Sequence, residues 1–125
     1  MNAAHLEALI QRGWVVDHDN KHFYAGLTEE RLLLDRCNAC GRWQHPPRPI
    51  CPSCWSEDIA PAEVRGTGAV ALWTVYRVSD PVFGGPGPVC MATVDLDEQQ
   101  GLRLTSQYHD EVPPRVGTRV TVEWI

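Results

Sequence analysis

Apolar residues at the start of the chain recur three or four positions apart, which is helical spacing. They predict a first helix built on Leu6, Leu9, Ile10 and Trp14. Gly13 is a predicted stop for this helix, because glycine commonly ends helices. A second short helix is predicted over 19–25, with Asp19 or Asn20 as its cap and Gly26 at its end. The chain therefore begins with helical segments.

The second half of the chain changes to strand periodicity. One long strand is predicted over 68–78, where Val70, Leu72 and Tyr76 share one face and Ala71, Trp73 and Val75 share the other. A second strand is predicted over 89–96, with Cys90, Ala92, Val94 and Leu96 on one face. Two more are predicted around Leu104 and Val120. Because no crossover helix separates these strands, they indicate a small antiparallel barrel; an OB-like barrel fits, and an SH3-like one would give similar spacing.

Composition and charge narrow the class of protein. The 125 residues include 43% hydrophobic and 22% charged ones, so a packed core is expected rather than disorder. No apolar run approaches the roughly 18 residues of a membrane helix, and Glu7 and Gln11 interrupt the stretch where a signal peptide would be apolar. With a formal net charge of −5, we expect a cytoplasmic, mildly acidic protein that does not enter membranes.

Four of the five cysteines form two Cys-x-x-Cys pairs, Cys37 with Cys40 and Cys51 with Cys54. A two-residue gap lets one tight turn aim both sulfurs at a single ion, and two facing turns form the four-thiolate tetrahedron that zinc prefers. A short strand is predicted over 31–36 before the first pair, and the segment 41–50 can form a hairpin that brings the turns together. The sequence therefore predicts a structural zinc site.

Other interpretations of the cysteines fit less well. Iron uses the same four-cysteine ligand set, so it remains an alternative to zinc. A redox dithiol needs only one cysteine pair, usually at the start of a helix. Disulfides would suit an exported protein. His45 lies between the pairs and is predicted to be a hairpin surface residue rather than a ligand. Cys90 is predicted to be a buried, inert thiol. No Ser, Cys or His constellation indicates catalysis by this chain alone, so no catalytic residue is assigned.

Charge argues against nucleic acid as the partner of the barrel, although such barrels often stack bases on aromatic residues. From Asp80 to Ile125 there are three arginines against seven acidic residues, a net of −4. Between Arg36 and Cys54, by contrast, three arginines occur with no acidic residue: Arg36, Arg42 and Arg48. These could meet a phosphate-bearing ligand or a partner's carboxylates, or stay solvated.

The Pro- and Gly-rich loop 79–88 offers Phe83 as a partner contact, or is a plain hairpin connection.

Several segments together resemble one family. In the first half these are Phe23 to Leu27, Arg31 to Leu34, Arg36 to Gly41 and His45 to Cys54; in the second, Arg65 to Gly68, Trp73 to Tyr76, Val94 to Asp97, and Gly117. They resemble the domain-of-unknown-function thirty-five family. The resemblance implies a mainly β fold: an N-terminal helical segment over 1–30, a rubredoxin-like zinc ribbon over 31–60, and a small antiparallel OB-fold barrel over 61–125.

The resemblance also implies a function. Such proteins accompany thiolases and lipid-transfer-protein-like aldolases, including those of steroid side-chain breakdown, so a non-catalytic subunit of an acyl-CoA-processing complex is expected. Candidate partner or acyl-CoA contacts are Arg42, Arg48, Trp73 and Phe83. A protein that binds single-stranded nucleic acid is the alternative, and a small metalloenzyme is a weaker third hypothesis.

Overall fold

The structure is a computed structural model that describes residue 7 and residues 10–77 and 88–124. Several positions that were named from the sequence lie outside the described residues: Leu6, Leu9, Val78, Phe83 and nearly all of the loop 79–88. The chain divides into two compact units, of which the second is Thr67–Glu123. Among the described helices, none has the length and apolar character needed to cross a membrane.

The first unit contains the helix α1 (Lys21–Thr28). It confirms the helix predicted over 19–25, with Asn20 at its N-cap. The Asn20 side chain does not cap the helix; its Oδ1 accepts a hydrogen bond from the backbone N–H of Asp17 at 2.8 Å. Upstream, Gly13 has a φ of 88° and donates its N–H to the Ile10 carbonyl, as expected at a helix end.

Gly26 does not end α1, so that prediction was wrong. Gly26 lies inside the helix, where an added Cβ would stand 2.8 Å from the carbonyl oxygen of Arg31 and 2.9 Å from Leu33 Cγ. The glycine is therefore required by close packing of the chain that leaves the helix. That exit passes through Glu30, whose φ is 57°.

Among the described residues, the first unit also has three antiparallel strands in the order β2–β1–β3: β1 (Leu33–Cys37), β2 (Trp43–Gln44) and β3 (Ile59–Glu63). β1 confirms the strand predicted over 31–36. The hairpin predicted within 41–50 was wrong, because β2 pairs with β1 across the first cysteine turn. β3 was not predicted; it contains Pro61, which is tolerated because β3 is an edge strand.

The second unit is a four-stranded antiparallel sheet in the order β6–β5–β4–β7. Its strands are β4 (Thr67–Tyr76), β5 (Val89–Leu96), β6 (Arg103–Gln107) and β7 (Arg119–Thr121). The core of the sheet buries Val70, Ala92, Leu96 and Leu102. Each predicted strand of the second half is present, and the mainly β, OB-like fold class is confirmed.

A β-bulge in β4 changes which residues share a face. Val70 pairs with Val94 and Leu72 pairs with Thr93, so Ala71 is the extra residue. Because a bulge reverses the alternation, Val70 is buried whereas Leu72 is exposed. The predicted common face of Val70, Leu72 and Tyr76 is therefore wrong. Beyond the bulge β4 presents exposed apolar residues, namely Leu72, Trp73 and Tyr76.

Candidate metal centre

The two Cys-x-x-Cys segments form turns with the same backbone hydrogen bonds. In the first turn the Cys37 N–H donates to the Arg42 carbonyl at 2.8 Å, and the Gly41 N–H donates to the Cys37 carbonyl at 2.8 Å. In the second turn the Cys51 N–H donates to the Ser56 carbonyl at 2.9 Å, and the Trp55 N–H donates to the Cys51 carbonyl at 2.9 Å. Equal spacing in the sequence thus produces two equivalent turns.

These turns place all four sulfurs in one cluster. The four Sγ atoms of Cys37, Cys40, Cys51 and Cys54 lie within 4.8 Å of one another. Two of the separations join different turns: Cys37 to Cys54 and Cys40 to Cys51 are both 3.6 Å apart. None of the four cysteines is in a disulfide.

The cluster has the dimensions of a tetrahedral metal site. Zinc–sulfur bonds of about 2.3 Å place the corners of a regular tetrahedron about 3.8 Å apart. Two of the sulfur–sulfur separations, at 3.6 Å, are already close to that value. Cys37 and Cys51 are buried whereas Cys40 and Cys54 are exposed, so the cluster lies partly under the surface. The donor set therefore fits a closed, four-coordinate zinc site.

Backbone N–H groups favour the thiolate form at the cysteine that opens each turn. The N–H of Cys54 lowers the pKa of Cys51 to about 6, and the N–H of Cys40 lowers the pKa of Cys37. The N–H of Ser56 also acts to lower the pKa of Cys54, but burial and hydrogen bonds with the other three thiols raise it to about 12. Since thiolates are the metal ligands, both turns are arranged for metal binding.

The residue after each pair has a left-handed backbone. Gly41 has a φ of 79° and Trp55 a φ of 65°. Glycine adopts this conformation freely, whereas a bulky side chain in it is a conformational outlier. The Trp55 side chain nevertheless points outward, since the residue is 79% exposed. Trp55 was not among the residues predicted from the sequence, although an alignment of the two turns places it opposite Gly41.

The three arginines named from the sequence make different contacts. Arg42 donates from Nη1 to Ser53 Oγ at 3.0 Å, which holds its guanidinium beside the second turn. Arg36 donates from Nε to the Gly41 carbonyl at 3.0 Å and lies over the Trp43 ring. Arg48 is exposed, and its carbonyl accepts a hydrogen bond from Gln44 at 2.7 Å.

His45 lies outside the cysteine cluster and packs against α1. Its ring centroid is 5.0 Å from that of Phe23. Its Nδ1 is buried and has no hydrogen-bond partner among the described residues, and burial lowers the pKa of His45. The prediction of a hairpin surface residue was therefore wrong.

The remaining candidate residues lie outside the two cysteine turns. Trp73 is exposed on β4 beyond the bulge. Cys90 is only half-buried and borders an open depression with Tyr108 and His109, so the prediction of a buried thiol was wrong. Phe83 lies outside the described residues.

Comparison with known proteins identifies the family. The family model of the ChsH2 rubredoxin-like zinc ribbon domain matches residues 25–60, and that of the ChsH2 C-terminal OB-fold domain matches residues 62–124. A DUF35 domain-containing scaffold protein of Pyrococcus furiosus is 33% identical over 95 residues, which are 76% of this chain and 68% of the relative. The chain therefore belongs to the ChsH2 (DUF35) family, and the resemblance seen in the sequence is confirmed.

Two further relatives are named as subunits of enzymes. The probable enoyl-CoA hydratase alpha subunit of Thermomonospora curvata is 33% identical over 113 residues, which are 88% of this chain and 34% of the relative, so the chain spans about a third of its length. Benzoylsuccinyl-CoA thiolase subunit BbsA of Thauera aromatica is 33% identical over 97 residues, which are 66% of this chain and 61% of BbsA.

Two solved structures are similar to the chain. A chain of the Ltp2–ChsH2(DUF35) aldolase is 32% identical, with a TM-score of 0.79 over 90% of this chain and 87% of that one. A DUF35-family protein of unknown function from Sulfolobus solfataricus is 19% identical, with a TM-score of 0.61 over 89% of this chain and 82% of that one, and shares the fold.

Proposed function

We propose that this chain is a non-catalytic accessory subunit of a thiolase-superfamily aldolase or thiolase complex that acts on acyl-CoA thioesters. The similarity to a chain of the Ltp2–ChsH2(DUF35) aldolase carries this proposal, because it extends over 90% of this chain at 32% identity. The relative BbsA, a subunit of a thiolase, supports the same class of complex. The proposal places the complex in the cytoplasm, with steroid side-chain breakdown as a candidate process.

Within this proposal Cys37, Cys40, Cys51 and Cys54 hold one zinc ion. The 3.6 Å separations between sulfurs of different turns support a closed site. A zinc ion bound there supplies a structural cross-link between the two turns, with no open position for a substrate. The four cysteines themselves position the turns, and backbone N–H groups stabilise the thiolates of Cys37 and Cys51.

The proposal divides the chain into an N-terminal helical segment over 1–30, the ribbon over 31–60 and the barrel over 61–125. The chemistry belongs to the partner subunit, and this chain contributes binding surface. The exposed apolar residues on β4, among them Leu72 and Trp73, support that assignment as candidate binding surface. Arg42, Arg48 and Phe83 remain proposed contacts with the partner or with acyl-CoA.

Coexpression tests the association directly. The tagged chain is produced with each thiolase-like protein of the same genome, beginning with any neighbouring reading frame, and the eluate is analysed by size-exclusion chromatography with light scattering. We expect a stoichiometric complex with one such protein. Thiolase-like proteins from an unrelated genome serve as the control. If every thiolase-like protein of the genome elutes without this chain, the proposal is wrong.

A further inference from the structure

We propose that the second half of β4 is the contact edge of a homodimer, in which two copies of this chain pair antiparallel along residues 72–76. The inference goes beyond the proposed function, because the occupant of this edge is a second copy rather than the thiolase-like partner. It starts from the backbone of β4, which beyond the bulge has a neighbouring strand on one side only among the described residues.

The two sides of β4 are paired over different lengths. On one side β5 pairs with β4 to the end of the strand. On the other side β7 pairs only with residues 67–69. The next hydrogen bonds on that side are those of Val70, whose N–H donates to the Thr118 carbonyl and whose carbonyl accepts from the Gly117 N–H. In the part of the chain that the structure describes, no strand lies along this side of residues 72–76, hereafter the β4 edge.

The hydrogen bonds of β5 show which backbone groups point to the β4 edge. The Cys90 carbonyl accepts a hydrogen bond from the Tyr108 N–H at 2.8 Å, so the backbone of Cys90 faces the β6 side. Directly opposite residues of an antiparallel pair either both face each other or both face away. Val75 lies opposite Cys90, so its N–H and C=O point away from β5. By the alternation of the strand, those of Trp73 do the same.

The outer strands of the two described sheets have features that disfavour pairing with another chain. β2 has only two residues and β7 only three. β3 contains Pro61, which has no N–H to donate. β6 is mostly polar and begins with the exposed residue Arg103. These edges are therefore short, interrupted or charged.

The β4 edge has none of these features. Residues 72–76 include no proline, glycine or charged residue. Large apolar side chains are exposed on both faces of the strand, with Leu72 and Tyr76 on one face and Trp73 on the other. A long, apolar, unprotected edge of this kind is a template for pairing with another strand.

The β4 edge is complementary to itself, which specifies a second copy as its occupant. In an antiparallel pairing centred on Thr74, Trp73 of each copy lies opposite Val75 of the other, and each such pair exchanges two main-chain hydrogen bonds. In the same register Leu72 of each copy lies opposite Tyr76 of the other, so apolar side chains meet apolar side chains. The result is a two-fold symmetric dimer, the commonest form of oligomer.

Two further features permit this dimer. The chain has a formal net charge of −5, but none of its charged residues lies in the β4 edge, so like charges are not opposed where the copies meet. β7 pairs with β4 before the bulge and is not displaced. Pairing through the backbone also leaves both faces of β4 available to a further protein.

Sedimentation velocity of the full chain without any partner protein tests the dimer. We expect the mass to rise from monomer to dimer with concentration, with Kd in the micromolar range. Val75→Pro removes an N–H from the β4 edge and none from the pairing with β5, so Kd should rise at least about 10-fold. Gln107→Pro is the matched control on β6, because the Tyr108 N–H faces β5 and that of Gln107 therefore faces outward; it should leave Kd unchanged.

Charge variants at Thr74 test the register. Thr74 is exposed and lies opposite its own copy on the two-fold axis. Thr74→Lys and Thr74→Glu should therefore each be monomeric, because like charges directly opposite each other disfavour strand pairing. An equimolar mixture of the two variants should restore the dimer. If circular dichroism shows that Val75→Pro does not fold, this pair of variants decides the question.

Three results would overturn the inference. The first is a wild-type chain that stays monomeric at about 1 mM. The second is a dimer that persists unchanged in both Thr74 variants. The third is a monomeric wild type whose Val75→Pro variant loses the thiolase-like partner, which would assign the β4 edge to that partner. The proposed function is tested separately, because coexpression with the partner succeeds or fails whichever mass the chain has alone.

Discussion

The Sγ atoms of Cys37 and Cys54 lie 3.6 Å apart, although the two residues are separated by 17 positions in the sequence. Cys40 and Cys51 show the same relationship across the two turns. The sulfur cluster therefore connects the end of β1 to a Pro-rich segment that has little regular structure of its own. A metal ion at this point would cross-link the ribbon in the way that a small module with a limited core requires.

Removal of one sulfur should unfold the ribbon. In Cys37→Ser we expect loss of the bound zinc and of the ribbon fold, because zinc sites of this type contribute about 10 kcal/mol or more to the folding of small modules. Cys90→Ser is the matched control, since Cys90 lies on β5 outside the cluster. Metal analysis and tryptophan fluorescence measure both effects. Full zinc content in Cys37→Ser would contradict the assignment.

Gly68 should tolerate no side chain, because β4 and β5 approach closely there. A Cβ at Gly68 would overlap the Asp95 carbonyl oxygen and stand 2.7 Å from Val94 Cγ1. Gly68→Ala should lower the free energy of unfolding by about 1–3 kcal/mol. Gly101 has a φ of 80° and no atom within 4 Å of an added Cβ, so Gly101→Asn should have little effect. Urea unfolding measures the free energy of unfolding of both variants. If Gly68→Ala is as stable as Gly101→Asn, the prediction is wrong.

The stability of the first unit should depend on the ionisation of His45. Burial lowers the pKa of His45 in the folded chain below its ordinary value of 6.5. The folded state therefore disfavours the protonated ring, and the stability associated with neutral His45 is present above about pH 6.5 and lost as pH falls through the lowered pKa.

His45→Phe isolates this effect, because the ring against Phe23 is kept and the titrating group is removed. From about pH 8 to about pH 5, the free energy of unfolding of the wild type should fall relative to that of the variant. Protonation of the cysteines affects both chains and cancels in the difference. Parallel stability curves over this range would show that His45 does not titrate differently on folding.

Much of the fold could be predicted because local patterns determine it. The alternation over 89–96 predicted β5 with the bounds that the structure has, and the two cysteine pairs predicted the cluster of four sulfurs. The strand and each cysteine turn depend only on the spacing of residues close together in the sequence, and the preference of zinc for four thiolates predicted that the two turns face each other. The family resemblance then supplied the order of zinc ribbon and OB fold.

The features that could not be predicted depend on contacts between distant segments. The bulge at Ala71 follows from the register of β4 against β5, and the role of Gly26 follows from the approach of Arg31 and Leu33. β3 was missed because Pro61 is unfavourable in a strand unless that strand lies at a sheet edge. The left-handed conformation of Trp55, by contrast, could have been inferred from the sequence, because Trp55 and Gly41 both directly follow a Cys-x-x-Cys pair.

Reconstitution of turnover tests the central claim most directly. The purified thiolase-like partner, this chain, and the mixture of both are each assayed for carbon–carbon cleavage of an acyl-CoA thioester, with the Cys37→Ser chain in a parallel mixture. We expect no turnover by this chain alone and full turnover only when the partner is combined with the zinc-loaded wild type. Equal turnover by the partner with and without this chain, or turnover by this chain alone, would contradict the accessory role.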